Sequence, residues 1–141
     1  MAIRTYNYTD NEKIITAGSM DQKMYIIIEG EVEIRLREGK DEMTVALLKK
    51  NDFFGEMSLF NNQPRTADAI AVGNVKVAAI ESVEQLTSFL QHNHGFAAKM
   101  VRILANRLAM TDELLMGKVS EVNRMKVNMS MGRKNVDPLF G

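Results

Sequence analysis

At 141 residues the chain is long enough for one domain and short for two. Its 18 Lys and Arg balance 18 Asp and Glu, so a broad electrostatic grip on nucleic acid is not indicated. There is no cysteine, which excludes disulfides, zinc–thiolate sites and thiol catalysis, and no apolar run approaches transmembrane length.

The first ten residues are polar and lack an apolar h-region, so no signal peptide is expected; with the missing cysteines this sets the expectation of a cytoplasmic protein. The domain begins within residues 6–15. Lys13-Ile14-Ile15-Thr16 reads as a short strand closed by Ala17-Gly18-Ser19, and Asp21 and Gln22 are turn-type residues. Residues 24–28, Met-Tyr-Ile-Ile-Ile, read as a buried strand bounded by Gly30. In residues 31–37, Val32, Ile34 and Leu36 alternate with Glu31, Glu33, Arg35 and Arg37, the pattern of a strand with one buried and one wet face. Gly39-Lys40-Asp41 is a turn, residues 43–48 are the returning strand, and Lys49-Lys50-Asn51-Asp52 is a polar turn.

The stretch that follows, Phe53-Phe54-Gly55-Glu56-Met57-Ser58-Leu59-Phe60-Asn61-Asn62-Gln63-Pro64-Arg65-Thr66-Ala67, carries the chemistry. Glycine after two aromatics lets the backbone turn and approach another group closely. Residues 56–60 read as one helical turn whose first N–H groups attract anions. Arg65 adds a planar fork of donors suited to phosphate oxygens. Glu56, an acceptor-only carboxylate beside such a site, suits a sugar hydroxyl.

The run Phe54-Gly55-Glu56-x-Ser58-Leu59, then Pro64-Arg65-Thr66-Ala67, resembles the phosphate-binding cassette of the cyclic-nucleotide-binding domain family. The resemblance implies a ligand, cAMP or cGMP, rather than a cofactor. It implies that Gly55 and Ser58 offer backbone N–H groups to the cyclic phosphate, that Glu56 takes the ribose 2′-hydroxyl, and that Arg65 pairs with the phosphate. Thr66 would touch the phosphate or the base edge, and Phe54, Met57 and Ala67 belong to the same ligand-binding set. Asp68 departs from the family pattern, where a small neutral residue is more usual. A second carboxylate there either weakens anion affinity or orients Arg65.

Residues 66–72 read as a strand, Gly73-Asn74 as a tight turn and residues 75–80 as the next strand. Many short strands at this spacing argue for a β-sandwich or jelly roll. The fold expected is mainly β with α: a double-stranded β-helix, or jelly roll, followed by C-terminal helices. Ser82 and Gln85 form a capping-box arrangement ahead of an apolar face of Val83, Leu86, Phe89 and Leu90. Asn93, His94 and Gly95 interrupt it. A longer helix then carries Phe96, Met100, Ile103, Leu104 and Leu108.

Val101, Leu104, Leu108, Thr111, Leu115, Lys118, Val122, Met125 and Met129 step along that helix by threes and fours, a narrow seam suited to a homodimer. Gly117 inside it could mark a hinge. Arg107, Thr111, Asp112 and Leu115 are the helix positions expected near the base. The expected division is a binding domain over residues 1–116 and a helix extension with a flexible tail over 117–141. His92 and His94 are the only histidines, and their spacing on a helix is poor for joint chelation, so no metal is expected. No catalytic motif appears, so no enzyme is expected. Neither a DNA-binding module nor a membrane partner is indicated. A cyclic-nucleotide sensor module is one expectation; the other is a ligand-free interaction or dimerisation module of the same fold, with an effector protein as partner.

Overall fold

Two long antiparallel strands, β3 (Met24–Glu38) and β6 (Asp68–Ile80), run side by side and organise the sheet in this computed structural model, which describes residues 2–109. Strand β1 (Arg4–Tyr8) pairs with the second half of β6, and β2 (Lys13–Ile15) with its first half. On the other side, β4 (Asp41–Leu48) and the two-residue β5 (Phe53–Phe54) pair with the two ends of β3. The order is β1-β6-β3-β4, so the mainly antiparallel β architecture expected from the strand spacing is present.

Two boundaries differ from the sequence expectation. Residues 24–28 and 31–37 are one continuous strand, and Gly73-Asn74 is a bulge inside β6 rather than a reversing turn. The register passes from Glu29↔Lys76 to Glu31↔Val72, so three residues of β6 stand opposite Gly30. Gly30 has φ +92°, and a Cβ there would lie 2.3 Å from the Asn74 carbonyl oxygen. The two backbones therefore meet closely at this crossing, where only glycine fits. A Gly-Asn pair reverses a chain only when its flanks pair with each other, and here both flanks pair with β3. Strands β1 and β5 carry no clear alternation and were not anticipated.

Period-2 geometry sorts the core. Tyr25 and Ile27 of β3 meet Val75, Val77 and Ala79 of β6, with Ile14, Ile15, Phe54, Ala69 and Ala71 completing the cluster. Met24 and Ile26 point to the opposite face and are also buried, as are Phe53 and Ile80. Helix α2 (Val83–His92) packs against β6 and buries Leu86, while Val83 stays exposed. Half of the expected capping box forms: Ser82 Oγ accepts the Gln85 N–H at 3.1 Å, but Gln85 Oε1 accepts the N–H of Glu81 at 2.7 Å, one residue before the cap, instead of that of Ser82.

The chain divides into two compact units, Met1–His92 and Asn93–Gly141. In the second, residues 94–109 are helical after a break at Asn93. Met100 is buried, Phe96, Ile103 and Leu104 are half-buried, and Val101 and Leu108 are exposed. The rest of the seam, Gly117 and the boundary expected at residue 116 lie outside the described residues. Among the described residues no helix is long and apolar enough to cross a membrane.

Candidate functional site

Arg65 stands just ahead of β6 and is only 6% exposed. A buried guanidinium requires acceptors for its five donors. Nη1 donates to the Gly55 carbonyl oxygen at 3.0 Å. Nη2 donates to Asp21 Oδ2 at 3.2 Å and to the Lys23 carbonyl oxygen. Nε has no partner among the protein's own atoms, and among the described residues it is the one buried side-chain nitrogen or oxygen in that condition. The group thus has one carboxylate beside it and an unsatisfied donor. Hydrogen bonds from a guanidinium to an oxyanion are the strong kind.

The backbone of Arg65 is held equally closely. The Gly18 N–H donates to the Arg65 carbonyl oxygen and the Arg65 N–H to the Ser19 carbonyl oxygen, both at 2.8 Å. Residues 16–19 form a turn closed by Ser19 N–H to the Thr16 carbonyl oxygen at 3.1 Å. Gly18, with φ +89°, supplies the positive φ that the third residue of a type II turn requires.

Against the guanidinium sits the start of α1 (Glu56–Phe60), the single turn expected at these residues. Its N-cap is Gly55, at φ +82°, and no side chain caps the helix. A Cβ on Gly55 would fall 2.8 Å from Arg65 Nη1 and 3.0 Å from the Lys23 carbonyl oxygen, so only glycine lets the two segments approach this closely. Glu56 and Ser58 are buried, whereas Met57 and Phe60 face outward. Phe54 lies in the core, its ring stacked on Tyr25 with centroids 5.3 Å apart. Thr66 is exposed and Ala67 half-buried. Arg107 is an exposed residue of the second unit, and Thr111, Asp112 and Leu115 lie outside the described residues. The structure therefore brings Gly55, the head of α1 and Arg65 together, and leaves Met57 and Thr66 at the surface.

Asp21, the Lys23 carbonyl and Tyr25 complete the surroundings, and sequence reasoning took Asp21 only for a turn residue. Tyr25 Oη donates to Asp21 Oδ2 at 3.3 Å. Burial foremost, then the Asp21 charge, pushes the Tyr25 phenol well above its usual range, so it remains a donor. No spacing rule links Asp21 with Arg65, 44 residues apart. Asp68 is not bonded to the Arg65 guanidinium. Its Oδ1 accepts the Ala17 N–H at 2.7 Å, and its Oδ2 lies 3.5 Å from Lys13 Nζ and 3.6 Å from Arg37 Nη2. The Ala17 bond, followed by Lys13 and Arg37, holds the Asp68 carboxyl below its usual range against the opposing effect of burial. Among the described residues no cluster of His, Cys, Asp and Glu could hold a metal ion.

Residues 6–93 match the model of the cyclic nucleotide-binding domain. A cAMP-dependent protein kinase regulatory subunit of Colletotrichum orbiculare is 38% identical over 79 residues, covering 56% of this chain and 20% of that protein. The catabolite activator protein of Thermus thermophilus superposes with a TM-score of 0.68 at 29% identity, over 80% of this chain and 53% of that one. The regulatory domain of Toxoplasma gondii PKA, crystallised with cAMP, gives 0.58 at 29% identity, over 75% of this chain and 40% of that one. The chain spans half or less of the length of the curated relatives it matches most strongly. With more than half of its length under the domain model and the sheet and α1 arranged as described, the chain belongs to the cyclic nucleotide-binding domain family.

Proposed function

We propose that the chain is a sensor module that binds a 3′,5′-cyclic nucleotide, cAMP or cGMP, at Arg65 and the head of α1. The observation that carries this is the buried Arg65 Nε with no protein partner, on a guanidinium seated against a glycine-opened, uncapped helix start. A cyclic phosphate brings a single negative charge and two unesterified oxygens. One oxygen takes the Nε–H, and the N–H groups of Gly55 and Ser58 serve the other. Glu56 takes the ribose 2′-hydroxyl. Each charge-assisted hydrogen bond contributes about 1.5–3 kcal/mol, against about 8 kcal/mol for micromolar binding. Phosphate and sugar contacts therefore supply much of the affinity, and the base supplies the remainder.

In this reading the domain regulates rather than catalyses, in keeping with relatives named as a kinase regulatory subunit and a catabolite activator. Occupancy is coupled to the C-terminal helix only to the extent that ligand binds one helix position better than another. Val101 and Leu108, 69% and 64% exposed, support a homodimer through that helix. Titration calorimetry with cAMP and cGMP is the test. Arg65→Ala and Glu56→Ala each weaken binding at least tenfold while the domain stays folded; unchanged affinity in both removes the site. The Asp21–Arg65 ion pair favours a second reading, a ligand-free interaction module in which Arg65 is a structural cation. No rise in thermal midpoint with either nucleotide at saturation selects that reading, because a ligand of the folded state must stabilise it.

A further inference from the structure

We infer that Asp68 is a positioning residue for the ligand-binding Arg65, acting at a distance by clamping the residue 16–19 turn that grips the Arg65 backbone. The inference rests on the nucleotide-binding reading above and adds to it a residue outside the cassette.

The chain of contacts is short and each link is a hydrogen bond. Asp68 Oδ1 accepts the Ala17 N–H at 2.7 Å. Ala17 is the second residue of the Thr16–Ser19 turn, whose N–H points outward from the turn and needs an acceptor. The two residues after it take both backbone polar groups of Arg65, through Gly18 N–H and the Ser19 carbonyl oxygen. Position 65 is thus fixed from a turn that is itself fixed from position 68. The guanidinium at the end of that side chain has little freedom, with Gly55 and Lys23 carbonyl oxygens on it. A shift of the turn displaces the backbone from which the guanidinium is aimed, and directional hydrogen bonds weaken steeply with misalignment.

Asp68 is built for the task. It is 3% exposed, and its second oxygen is held by Lys13 of β2 and Arg37 near the end of β3. Three elements therefore meet at one carboxylate: β2 and the turn that follows it, the end of β3, and the start of β6. Lys13 and Arg37 are half-exposed, so they steady the carboxylate from outside, while the acceptor role toward Ala17 is the inward one. An acceptor oxygen, more than the negative charge, is what the turn needs. That separates this role from any electrostatic effect of Asp68 on the anion.

The test is calorimetric titration of the full chain with cAMP and with cGMP. Asp68→Ala weakens binding of whichever nucleotide the wild type takes by about tenfold. Asp68→Asn keeps an acceptor oxygen in place and holds affinity within about threefold. Ala17→Pro removes the donor instead of the acceptor and puts its ring Cδ against Asp68 Oδ1, so it loses at least as much affinity as Asp68→Ala without changing any charge. It also keeps the test open if Asp68→Ala does not fold. The Arg65 Nε–H and Gly18 amide resonances shift in Asp68→Ala and Ala17→Pro, and stay near their wild-type positions in Asp68→Asn. In an Arg65→Lys background, which retains a cation, Asp68→Ala costs much less than in the wild type, because its route runs through Arg65. The inference is overturned if Asp68→Ala and Ala17→Pro bind as the wild type does, if Asn fails to rescue, or if the losses with Arg65→Lys simply add. Arg65→Ala run alongside separates the two levels. If it binds normally, the site reading itself fails; if it loses binding while the Asp68 and Ala17 variants do not, only the positioning role fails.

Discussion

In the β3–β4 hairpin, Leu36, Met43, Val45 and Leu47 are between 41% and 61% exposed, whereas across residues 56–68 Glu56, Ser58, Arg65 and Asp68 are each 7% exposed or less. The hairpin has apolar side chains in water; the cassette, with Asp68 just after it, has charged and polar ones away from it. The hairpin gains its order from ladder hydrogen bonds and from surface charges such as the Arg35–Glu33 and Arg35–Glu42 pairs. Such half-exposed surface pairs add little beside the ladder. The cassette must satisfy groups whose unmet hydrogen bonds cost about 1–3 kcal/mol each, and for Arg65 and Asp68 several of the partners come from the 16–23 segment. Stability and specificity are therefore kept in different places. The sheet core supplies the first, and in the proposed reading the polar knot around Arg65, with its unpartnered Nε, supplies the second.

Changes that should break this contrast can be ranked. The largest effect belongs to the core beneath the cassette. Phe53 is 1% exposed and pairs across the ladder with Ile26. Phe53→Ala should cost about 3–5 kcal/mol, read as a lower urea midpoint with little change in slope. A loss below about 1 kcal/mol would mean that the region folds independently of the core.

Gly55→Ala comes next and strikes both properties. Its φ of +82° is hostile to a side chain, and the added Cβ meets Arg65 Nη1 at 2.8 Å. The backbone term is about 1–3 kcal/mol. The displaced guanidinium should cost nucleotide affinity tenfold or more. Calorimetry and denaturation on one sample separate the terms; a variant that is destabilised but binds normally would show that Gly55 serves the fold alone.

How much of this was legible beforehand follows from the same contrast. The α1 turn, the Ser82 cap on Gln85 and the core strands are local events, written in residue types a few positions apart. Gly55 and Arg65 were visible because a glycine after two aromatics and a fork of donors suit an anion, and because the run from Phe54 to Ala67 resembles a family cassette. Asp21 was not, because its partner lies 44 residues away and an aspartate in a polar loop is ordinary. Val32, Ile34 and Leu36 show the converse failure. Their alternation is clean, yet only Val32 is fully buried while Ile34 is half-covered and Leu36 is exposed, because the ribbon outruns the layer above it. Periodicity reports which face a residue takes, and the neighbouring layer decides whether that face is covered. The fusion of residues 24–38 into one strand was missed for a related reason: Gly30 looks like an end until its partner across the ladder is known.

Asp68 sharpens the comparison through pH. Its carboxyl is held below the usual range in the folded state, with the Ala17 N–H the foremost cause and Lys13 and Arg37 adding to it. The unfolded chain therefore binds more protons at this group than the folded one as pH falls through the ordinary aspartate range near about 3.9. Its contribution is fully present above that range and is lost as pH drops through it toward the folded value. At neutral pH, Asp68→Asn should cost about 1–2 kcal/mol, since a neutral amide forgoes both cation contacts. The gap between wild type and Asp68→Asn should hold from pH 7 to about pH 5, begin to narrow near about pH 4 and close only below the lowered folded value, as urea midpoints down that range would show. Using the difference cancels the other carboxylates. A gap that stayed open at low pH would assign the loss to packing rather than to charge.

The smallest effect is expected in the hairpin, and it carries the sharpest information about the exposed residues. Leu47 stands opposite Glu33 on the wet face, and Val45 is the extra residue of a bulge between the Ile34↔Ala46 and Arg35↔Thr44 pairs. Neither fills a core position. Leu47→Lys removes an apolar group that water already reaches and places a cation across from Glu33, whose carboxylate Arg35 already holds at 2.6 Å. The added cation gains little there, and little is lost. The expected change is within about 0.5 kcal/mol, with nucleotide affinity unaltered. Should Leu47→Lys instead cost well over 1 kcal/mol, and should sedimentation show that it also lowers the mass of the particle, the hairpin is covered in solution by a second copy. The contrast between the two regions would then be one of a single chain and not of the assembled protein.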